Sequence, residues 1–231
     1  MGSLTEVQRS VIVGCLLGDG YMRKKTNAHL EVNHAYSQKD YVDWKYRVLK
    51  NLVRTPPVRR RGNGGRVAYR FTTRSLLPIT KFYEEFYRYG RKVVPSNLQI
   101  SSLSLAVWFM DDGSKSYKTV YFNTQQFDSQ SQLVLQKVLQ DQWGIESTLN
   151  KDKEYRRIRV VTKSAPILIA LIEPFILPQF AYKLPLNPVS TDSTTFSHVA
   201  GEIDTQLEFY QTPTPTLWKF DFATRDKRMK I

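Results

Sequence analysis

The sequence predicts an α+β fold made of two similar halves, each combining helices with an antiparallel sheet. Residues 69–87 align without gaps on residues 158–176, with arginine, threonine, serine, glutamate and phenylalanine at matching positions. Apolar and polar residues alternate in both halves, which indicates strands with one buried face. Each half also begins with an apolar, helix-like stretch that ends in Asp-Gly, at Asp19 and at Asp112. We expect the halves to span 1–98 and 99–190, followed by a linker and tail over 191–231.

The composition indicates a folded protein with a polyanionic partner. The chain has 231 residues, 41% of them hydrophobic, which is enough to bury a sizeable core. Its formal net charge of +13 favours nucleic acid over a small-molecule substrate. We find no apolar run long enough for a membrane span and no signal peptide. The expected location is therefore inside a cell, in a mitochondrion, a chloroplast or a bacterial cytoplasm. A single cysteine, Cys15, excludes an internal disulfide and is expected to be a packing residue.

The first element of each half is predicted to be a helix that packs against its counterpart. Ser3 with Glu6 fits a capping box for the first helix, and Ser101 or Ser102 can cap the second. Gly14 and Gly18 have the spacing that lets two helix backbones approach closely.

Packing of the two helices would bring their C-terminal acids together. A carboxylate is disfavoured at a helix C-terminus by the helix dipole, and two facing carboxylates repel each other. A hard divalent cation such as Mg²⁺ would relieve both effects. The alternative is that each Asp-Gly is only a turn.

The strands that follow should leave one polar face of each sheet open. From Asn27 to Asn33 and from Arg66 to Thr72, apolar residues alternate with polar ones, and shorter alternations surround Phe122 and Ile158. Arginine, lysine, asparagine and glutamine suit readout of base edges in the DNA major groove. An ordinary solvated sheet face is the alternative. We expect the following residues to contact DNA: Arg23, Lys25, Asn27, His29, Glu31, Asn33, Arg66, Arg70 and Thr72 in the first half, and Lys115, Lys118, Tyr121, Asn123, Gln125, Lys151, Lys153, Arg157 and Arg159 in the second.

An arginine- and glycine-rich segment, Arg59 to Arg66, is predicted to be a loop between two strands. Its arginines, Arg59, Arg60 and Arg61 together with Arg66, could order on DNA phosphates. A generic charged loop would have the same composition. In the tail, the stretch 191–195 has the composition of a linker, and the aromatic residues near Trp218 are expected to pack against the body.

The two helix ends resemble a known signature. IVGCLLGDG (Ile12 to Gly20) and LAVWFMDDG (Leu105 to Gly113) are similar to the two copies of the motif in single-chain LAGLIDADG homing endonucleases. The second copy and PQFAYKLP (Pro178 to Pro185) carry the closest likeness, and the resemblance covers roughly residues 5–197. It implies two pseudo-symmetric αββαββα-type repeats, packed through the two LAGLIDADG-like helices, whose paired antiparallel sheets form a DNA-binding saddle.

The resemblance also implies a catalytic site. The acids at the eighth signature position, Asp19 and Asp112, would bind catalytic metal, and the preceding residues, Gly18 and Asp111, would contribute backbone carbonyls. Lys92 and Lys183, each shortly before a proline, match the basic residues that organise water or offset charge in the transition state. A phosphate anchor or an exposed charge is the alternative for each lysine. The implied cofactor is Mg²⁺, with Mn²⁺ able to substitute and Ca²⁺ supporting binding without cleavage.

Three functions are compatible with this pattern. The first is a monomeric endonuclease that makes a staggered double-strand break in a long, asymmetric duplex. The second is a maturase, which would bind intron RNA through the same basic surface. The third is a non-catalytic DNA-binding protein. Intact acids in both signatures favour the first. A departure from the family pattern is that Asp111 stands where a small residue is usual, and Gly14 in one helix corresponds to Val107 in the other, so the two active sites are expected to differ.

Overall fold

A computed structural model describes residues 3–62 and 65–185 of the chain. The chain divides into two compact units, residues 1–190 and 191–231, and all the described residues belong to the first. The predicted linker and tail therefore lie outside the described residues.

Within the described residues, each half contains three α-helices and a four-stranded antiparallel sheet. The helices are α1 (Glu6–Leu17), α2 (Lys39–Leu49) and α3 (Leu77–Phe86) in the first half, and α4 (Ser102–Asp112), α5 (Ser129–Trp143) and α6 (Ala165–Ile172) in the second. The strands of the first sheet are β1 (Tyr21–Lys24), β2 (Ala28–Ala35), β3 (Val58–Arg61) and β4 (Val67–Thr72). A hairpin of β5 (Tyr87–Arg88) and β6 (Arg91–Lys92) follows α3. The second sheet contains β7 (Gly113–Lys115), β8 (Val120–Phe122), β9 (Ser147–Asp152) and β10 (Tyr155–Val160).

The two sheets have the same topology. Their strand orders are β1-β2-β4-β3 and β7-β8-β10-β9, with every neighbouring pair antiparallel. The segments that align in the sequence, 69–87 and 158–176, are β4 with α3 and β10 with α6. The predicted α+β class and the repeated sheet unit are confirmed.

The sequence predicted the N-cap of α4 correctly but not that of α1. Thr5, and not Ser3, is the N-cap of α1: its side chain accepts from the backbone N–H of Gln8, and the Gln8 side chain accepts from the Thr5 N–H. The predicted partner Glu6 is instead the first helical residue. At α4, Ser101 is the N-cap and accepts from the Ser104 N–H, one of the two possibilities predicted.

Helices α1 and α4 pack with almost no space between their backbones. A Cβ atom added at Gly14 would lie 2.5 Å from Cβ of Val107, and one added at Gly18 would lie 2.4 Å from Cβ of Asp111. Small residues in α1 thus face larger ones in α4. The predicted close approach is confirmed, and it brings the C-terminal ends of both helices to one place.

The remaining faces of these helices form the core under the sheets. Trp108 and Phe109 are fully buried in α4, and both rings contact Phe122 of β8, with centroids 4.0 and 5.7 Å away. Cys15 is also fully buried, and burial raises the pKa of its thiol to about 11, so it is a packing residue as expected. Among residues 3–62 and 65–185, no helix has the length and apolar character needed to cross a membrane.

Candidate active site and nucleic-acid interface

The ends of α1 and α4 carry two similar groups of polar atoms. In the first half, Lys92 Nζ donates to the Gly18 carbonyl oxygen over 2.9 Å. In the second, Lys183 Nζ donates to the Asp111 carbonyl oxygen over 3.1 Å and to that of Met110 over 2.7 Å. Each lysine therefore binds the carbonyl immediately before the acid of its own half. The two lysines reach these positions differently, because Lys92 lies on β6 and Lys183 ends the 3-10 helix Pro178–Lys183.

Gln126 connects the two groups. Its Nε2 donates to Asp112 Oδ2 over 2.9 Å and to the Gly18 carbonyl oxygen over 3.2 Å, while its Oε1 accepts from Lys92 Nζ over 3.0 Å. One amide side chain thus contacts the acid of the second half and the carbonyl and lysine of the first. Asp112 is further fixed through its own carbonyl, which accepts from the backbone N–H and Nδ2 of Asn123 at 2.9 and 2.8 Å.

The electrostatics of the site disfavour charge on both the acids and the lysines. Burial, and then the charges of Asp19 and Asp111, raise the pKa of Asp112 to about 8. Burial and the Asp111 charge also raise the pKa of Asp19. Burial lowers the pKa of Lys92 to about 8, against the attraction of Asp112, and lowers the pKa of Lys183. Clustered perturbed groups of this kind are typical of functional sites.

The side chain of Asp111 lies in a buried network under the site. Asp111 Oδ1 accepts from Lys45 Nζ and from the Tyr41 hydroxyl, both over 2.8 Å, and Oδ2 accepts from the Asp19 backbone N–H over 3.2 Å. The side chains of Lys45 and Asp111 have no exposed surface. Burial lowers the pKa of Lys45, but the charge and the hydrogen bond of Asp111, together with the charges of Cys15 and Asp19, raise it by more, so the pKa rises overall and the group is an ammonium ion. Asp111 therefore contributes a carboxylate that ties the end of α4 to α2, in addition to the backbone carbonyl that accepts from Lys183.

His34 completes this network but does not make it a metal site. Its Nδ1 lies 3.6 Å from Asp19 Oδ2 and its Nε2 lies 3.1 Å from Lys45 Nζ. Asp19, His34 and Asp111 offer ligand atoms within 4.8 Å of one another. The Lys45 ammonium already compensates Asp111 there, and a second cation would be repelled by it. Burial and Lys45 lower the pKa of His34 to about 4, so the ring is neutral near pH 7.

The atoms around Asp19 and Asp112, the two acids of the signature, fit a hard divalent cation better. Asp19 and Asp112 offer carboxylate oxygens, and Gly18 and Asp111 offer carbonyl oxygens that retain a second lone pair beside the lysine hydrogen bond. Oxygen donors of this kind suit Mg²⁺. A bound cation would also offset the burial and the repulsion from Asp19 and Asp111 that raise the pKa of Asp112 to about 8.

The first sheet presents its polar face as the sequence predicted, except that Arg59 and Arg61 lie on the opposite face. Residues paired across antiparallel strands share a face, so Arg23, His29, Glu31, Asn33, Arg70 and Thr72 lie together. Asn27 and Arg66 flank the strand ends on that face, and Lys25 lies in the β1–β2 turn. The segment predicted as a loop from Arg59 is wrong at its start, because Arg59, Arg60 and Arg61 belong to edge strand β3. Arg60 pairs with Ala68 on the open face, whereas Arg59 and Arg61 pair with Tyr69 and Val67 on the helix side.

The second sheet differs more from the prediction. Arg159 pairs with Tyr121 on the open face, which Arg157 shares, and Asn123 follows β8 on the same side. Lys115 pairs with Val120, and Lys151 pairs with Arg156, which places both lysines on the helix side. Their assignment to the open face is therefore wrong. In a short strand, the register of pairing with the neighbouring strand determines which face each side chain occupies, whatever its charge. Lys118 and Lys153 are exposed in the turns, and Gln125 donates to Asp152 Oδ2 over 2.9 Å.

Several site residues were missed from the sequence. Lys45 lies one helical turn from both Tyr41 and Leu49. Its position on the apolar stripe of α2 could have indicated that this lysine is buried. His34 continues the inward face of β2 beyond Val32. Gln126 had no distinguishing signal, since it lies in a run of polar residues after β8.

The chain matches a family model and curated relatives over most of its length. The model described as the LAGLIDADG DNA endonuclease family matches residues 9–168. The cytochrome b mRNA maturase bI2 of Saccharomyces cerevisiae is 30% identical over 196 residues, which are 76% of this chain and 46% of the yeast protein. A probable intron-encoded endonuclease of Wickerhamomyces canadensis is 28% identical over 200 residues, covering 80% of this chain and 87% of the relative. The chain thus spans about half the length of the maturase.

Solved structures show the same architecture. The homing endonuclease I-WcaI, solved bound to its DNA recognition sequence, superposes with a TM-score of 0.75 at 26% identity, over 81% of this chain and 89% of that one. The endonuclease I-DmoI, in complex with DNA and Mn, shares the fold at 12% identity with a TM-score of 0.51, over 74% and 98% of the chains. The family match, the paired helices and the duplicated sheets together establish that this chain belongs to the LAGLIDADG DNA endonuclease family.

Proposed function

We propose that this protein is a site-specific homing endonuclease that hydrolyses one phosphodiester on each strand of a long, asymmetric DNA duplex. The observation that carries the proposal is the meeting of two half-sites at the ends of α1 and α4. In each, an acid follows a carbonyl that accepts a hydrogen bond from a lysine, with Asp19 near Lys92 and Asp112 near Lys183. Two acids and two lysines provide one set of groups for each strand.

We propose Mg²⁺ as the cofactor, held by Asp19 and Asp112 with the carbonyl oxygens of Gly18 and Asp111. When bound, such a cation polarises the phosphate and supports formation of hydroxide from water. Mn²⁺ would substitute, and Ca²⁺ would support binding without cleavage. The donor set supports this assignment, because burial and mutual repulsion already disfavour two bare carboxylates at the site.

The lysines and Gln126 act on the reacting groups from the protein side. Lys92 and Lys183 are cations at the edge of the acids, where they offset negative charge that develops on the phosphate. Burial lowers the pKa of Lys92 to about 8, which is closer to neutral pH than that of an ordinary lysine. Gln126 orients Asp112 and Lys92 through hydrogen bonds of 2.9 and 3.0 Å.

The open faces of the two sheets would bind successive parts of the duplex. The proposed DNA-binding set, corrected for the strand register, lies on the open face or at its strand ends: Arg23, Lys25, Asn27, His29, Glu31, Asn33, Arg60, Arg66, Arg70, Thr72, Lys118, Tyr121, Asn123, Gln125, Lys153, Arg157 and Arg159. The two faces are not equivalent, since the first carries Glu31 with the Arg70 guanidinium 3.6 Å away and the second has Arg157 over the Tyr121 ring at 4.1 Å. A single chain with unlike faces suits an asymmetric target.

An intron RNA maturase is the second candidate function. The 30% identity to the yeast cytochrome b mRNA maturase favours it. The same basic faces could bind folded RNA whether or not the acids act.

Cleavage of a randomised duplex library separates the candidates. Purified protein is incubated with the library in Mg²⁺ and, in parallel, in Ca²⁺, and bound and cut molecules are sequenced. We expect one enriched site, cut with a stagger in Mg²⁺ and bound intact in Ca²⁺. Asp19→Asn and Asp112→Asn should each abolish the double-strand break while binding in Ca²⁺ persists. The matched control is Asp141→Asn, an exposed acid on α5 that pairs only with Lys137 among the described residues.

The outcomes are distinct. Binding without cleavage in Mg²⁺ would overturn the nuclease assignment, and wild-type cutting by Asp19→Asn would overturn the metal assignment. Tight binding of folded intron RNA with no preference for any duplex would favour the maturase.

A further inference from the structure

The β5–β6 hairpin has an unusual residue at its tip. Its strands pair Tyr87 with Lys92 and Arg88 with Arg91, leaving a two-residue turn of Tyr89 and Gly90. Both turn residues have positive φ, 51° and 75°. This is the pattern of a type I′ turn, in which asparagine, aspartate or glycine is preferred at the first position. A tyrosine there adopts a backbone conformation that L side chains rarely adopt.

The Tyr89 side chain makes no contact that would stabilise the fold and offset this unfavourable backbone conformation. Its exposed fraction is 104%, so the ring is entirely in solvent. Within residues 3–62 and 65–185, its side chain has no hydrogen-bond, ring or cation partner. An Asn-Gly pair would form the same turn without a tyrosine. A disfavoured conformation that buries no surface is a feature that points to a bound partner.

The first strand of the hairpin is anchored to the body of the first half. Tyr87 is buried, its hydroxyl accepts from the Met22 backbone N–H over 2.9 Å, and its ring stacks on Tyr83 with centroids 4.6 Å apart and planes 2° apart. Arg88 Nη1 donates to the carbonyl oxygens of Tyr87 and Glu84. The base of the hairpin is therefore anchored next to the tip, which lowers the entropic cost of a contact there.

The position of the hairpin relative to the site indicates the partner. Its last residue is Lys92, whose Nζ binds the Gly18 carbonyl beside Asp19. Two residues separate Tyr89 from Lys92, so their Cα atoms lie within about 10 Å of each other. Arg88 and Arg91, which pair with each other on either side of the turn, are exposed. An exposed aromatic residue in a hairpin that also carries exposed arginines, close to the proposed phosphate chemistry, fits nucleic acid. The two sheets would follow the major groove on either side of the site, so the groove that faces the protein between them is the minor groove.

We propose that Tyr89 is a DNA contact in which the ring packs against deoxyribose and base edges in the minor groove next to the strand cleaved near Lys92, with Arg91 on the adjacent phosphate. This inference rests on the proposed function as a DNA endonuclease. It assigns a role to the first half alone, because the second half brings Lys183 to its position on a 3-10 helix and not on a hairpin.

Substitution of Tyr89 separates a DNA contact from a structural role, because the two predict opposite effects. Tyr89→Asn introduces the residue that the turn prefers, so thermal stability should rise or stay unchanged. Affinity for the enriched duplex in Ca²⁺ should nevertheless fall roughly tenfold, a loss typical of one aromatic contact with a base. Tyr89→Phe keeps the ring and should retain most of the affinity. The control is Leu133→Ala, another exposed apolar residue (52%) on α5.

Hydroxyl-radical footprinting of the same complexes locates the contact. Wild-type protein should protect deoxyriboses beside one of the two cuts, and Tyr89→Asn should lose that protection while the footprints of both sheets remain. Unchanged affinity and an unchanged footprint in Tyr89→Asn would overturn the proposal even if the wild type cleaves. If the wild type binds duplex without cutting it, only the endonuclease function fails, and the footprint in Ca²⁺ still tests Tyr89.

Discussion

The buried ion pair of Lys45 and Asp111 gives the sharpest test of how the two halves are held together. The two side chains lie 2.8 Å apart with no exposed surface, one on α2 of the first half and the other at the end of α4 in the second. Removing one partner of such a pair leaves an uncompensated buried charge, which costs about 3–5 kcal/mol. We therefore expect Lys45→Met and Asp111→Asn each to lower the free energy of unfolding by about that amount.

The double variant Lys45→Met with Asp111→Asn should be more stable than either single variant. Methionine matches the length of the lysine chain, and asparagine keeps the shape of aspartate and an acceptor oxygen for the Tyr41 hydroxyl. With both charges removed, no desolvated ion remains. The measurement is urea denaturation at pH 7 in EDTA, followed by circular dichroism, for the four proteins of the cycle.

An exposed pair provides the matched control. Lys137 and Asp141 form an i,i+4 pair on α5 whose side chains are 75% and 54% exposed. The same substitutions there should change stability by about 0.3–0.5 kcal/mol. Additive effects of the two changes at Lys45 and Asp111, or a cost as small as that of the control pair, would refute the argument that this buried pair joins the halves.

Three further predictions concern the helix contact, the buried histidine and the lysines. Gly14→Ala should destabilise the protein by about 1–3 kcal/mol, because the new Cβ would lie 2.5 Å from Val107 Cβ and 2.7 Å from the Ser104 carbonyl oxygen. In urea denaturation, Gly62→Ala should be nearly neutral, because its new Cβ would lie 3.7 Å from the Arg66 carbonyl oxygen, an ordinary contact. The pKa of His34 falls from 6.5 to about 4 on folding, so below pH 6.5 the unfolded chain binds a proton that the native state does not, and stability should fall by about 3 kcal/mol as the pH drops toward 4. His34→Gln in EDTA should remove this component of the pH profile, and an identical profile would contradict the assignment. Lys92→Met and Lys183→Met should each slow cleavage of one strand by about 10²-fold or more, so nicked plasmid should accumulate; direct conversion to linear plasmid at the wild-type rate would exclude the role proposed for that lysine.

The elements that the sequence predicted well are those set by local pattern. Alternation of apolar and polar residues located the open face of β2 and β4, and the Gly14–Gly18 spacing indicated the helix contact, because both depend on periodicity within one element. The lysines before prolines were found from the repeat. Their hydrogen bonds to the Gly18 and Asp111 carbonyls followed only from the three-dimensional arrangement.

The features that were missed depend on contacts between distant segments. Lys45 meets Asp111 across 66 positions of sequence, and composition cannot distinguish a buried lysine from a solvated one until its partner is known. Lys115 and Lys151 were assigned to the wrong face because short strands take their orientation from the register with their neighbours. Thr5 replaced Ser3 as the N-cap of α1, a shift of two residues that the pattern alone could not resolve.

The unequal contacts between α1 and α4 determine which assemblies this chain can form. Two copies of the first half, joined as a symmetric dimer, would oppose Gly14 with Gly14 and Gly18 with Gly18 and leave a void. Two copies of the second half would oppose Val107 with Val107 and bring two Asp111 carboxylates together without the lysine of α2 to neutralise them. Each half is thus shaped for the other and not for itself, so a chimera that exchanges one half must also carry over the matching residues of its partner helix.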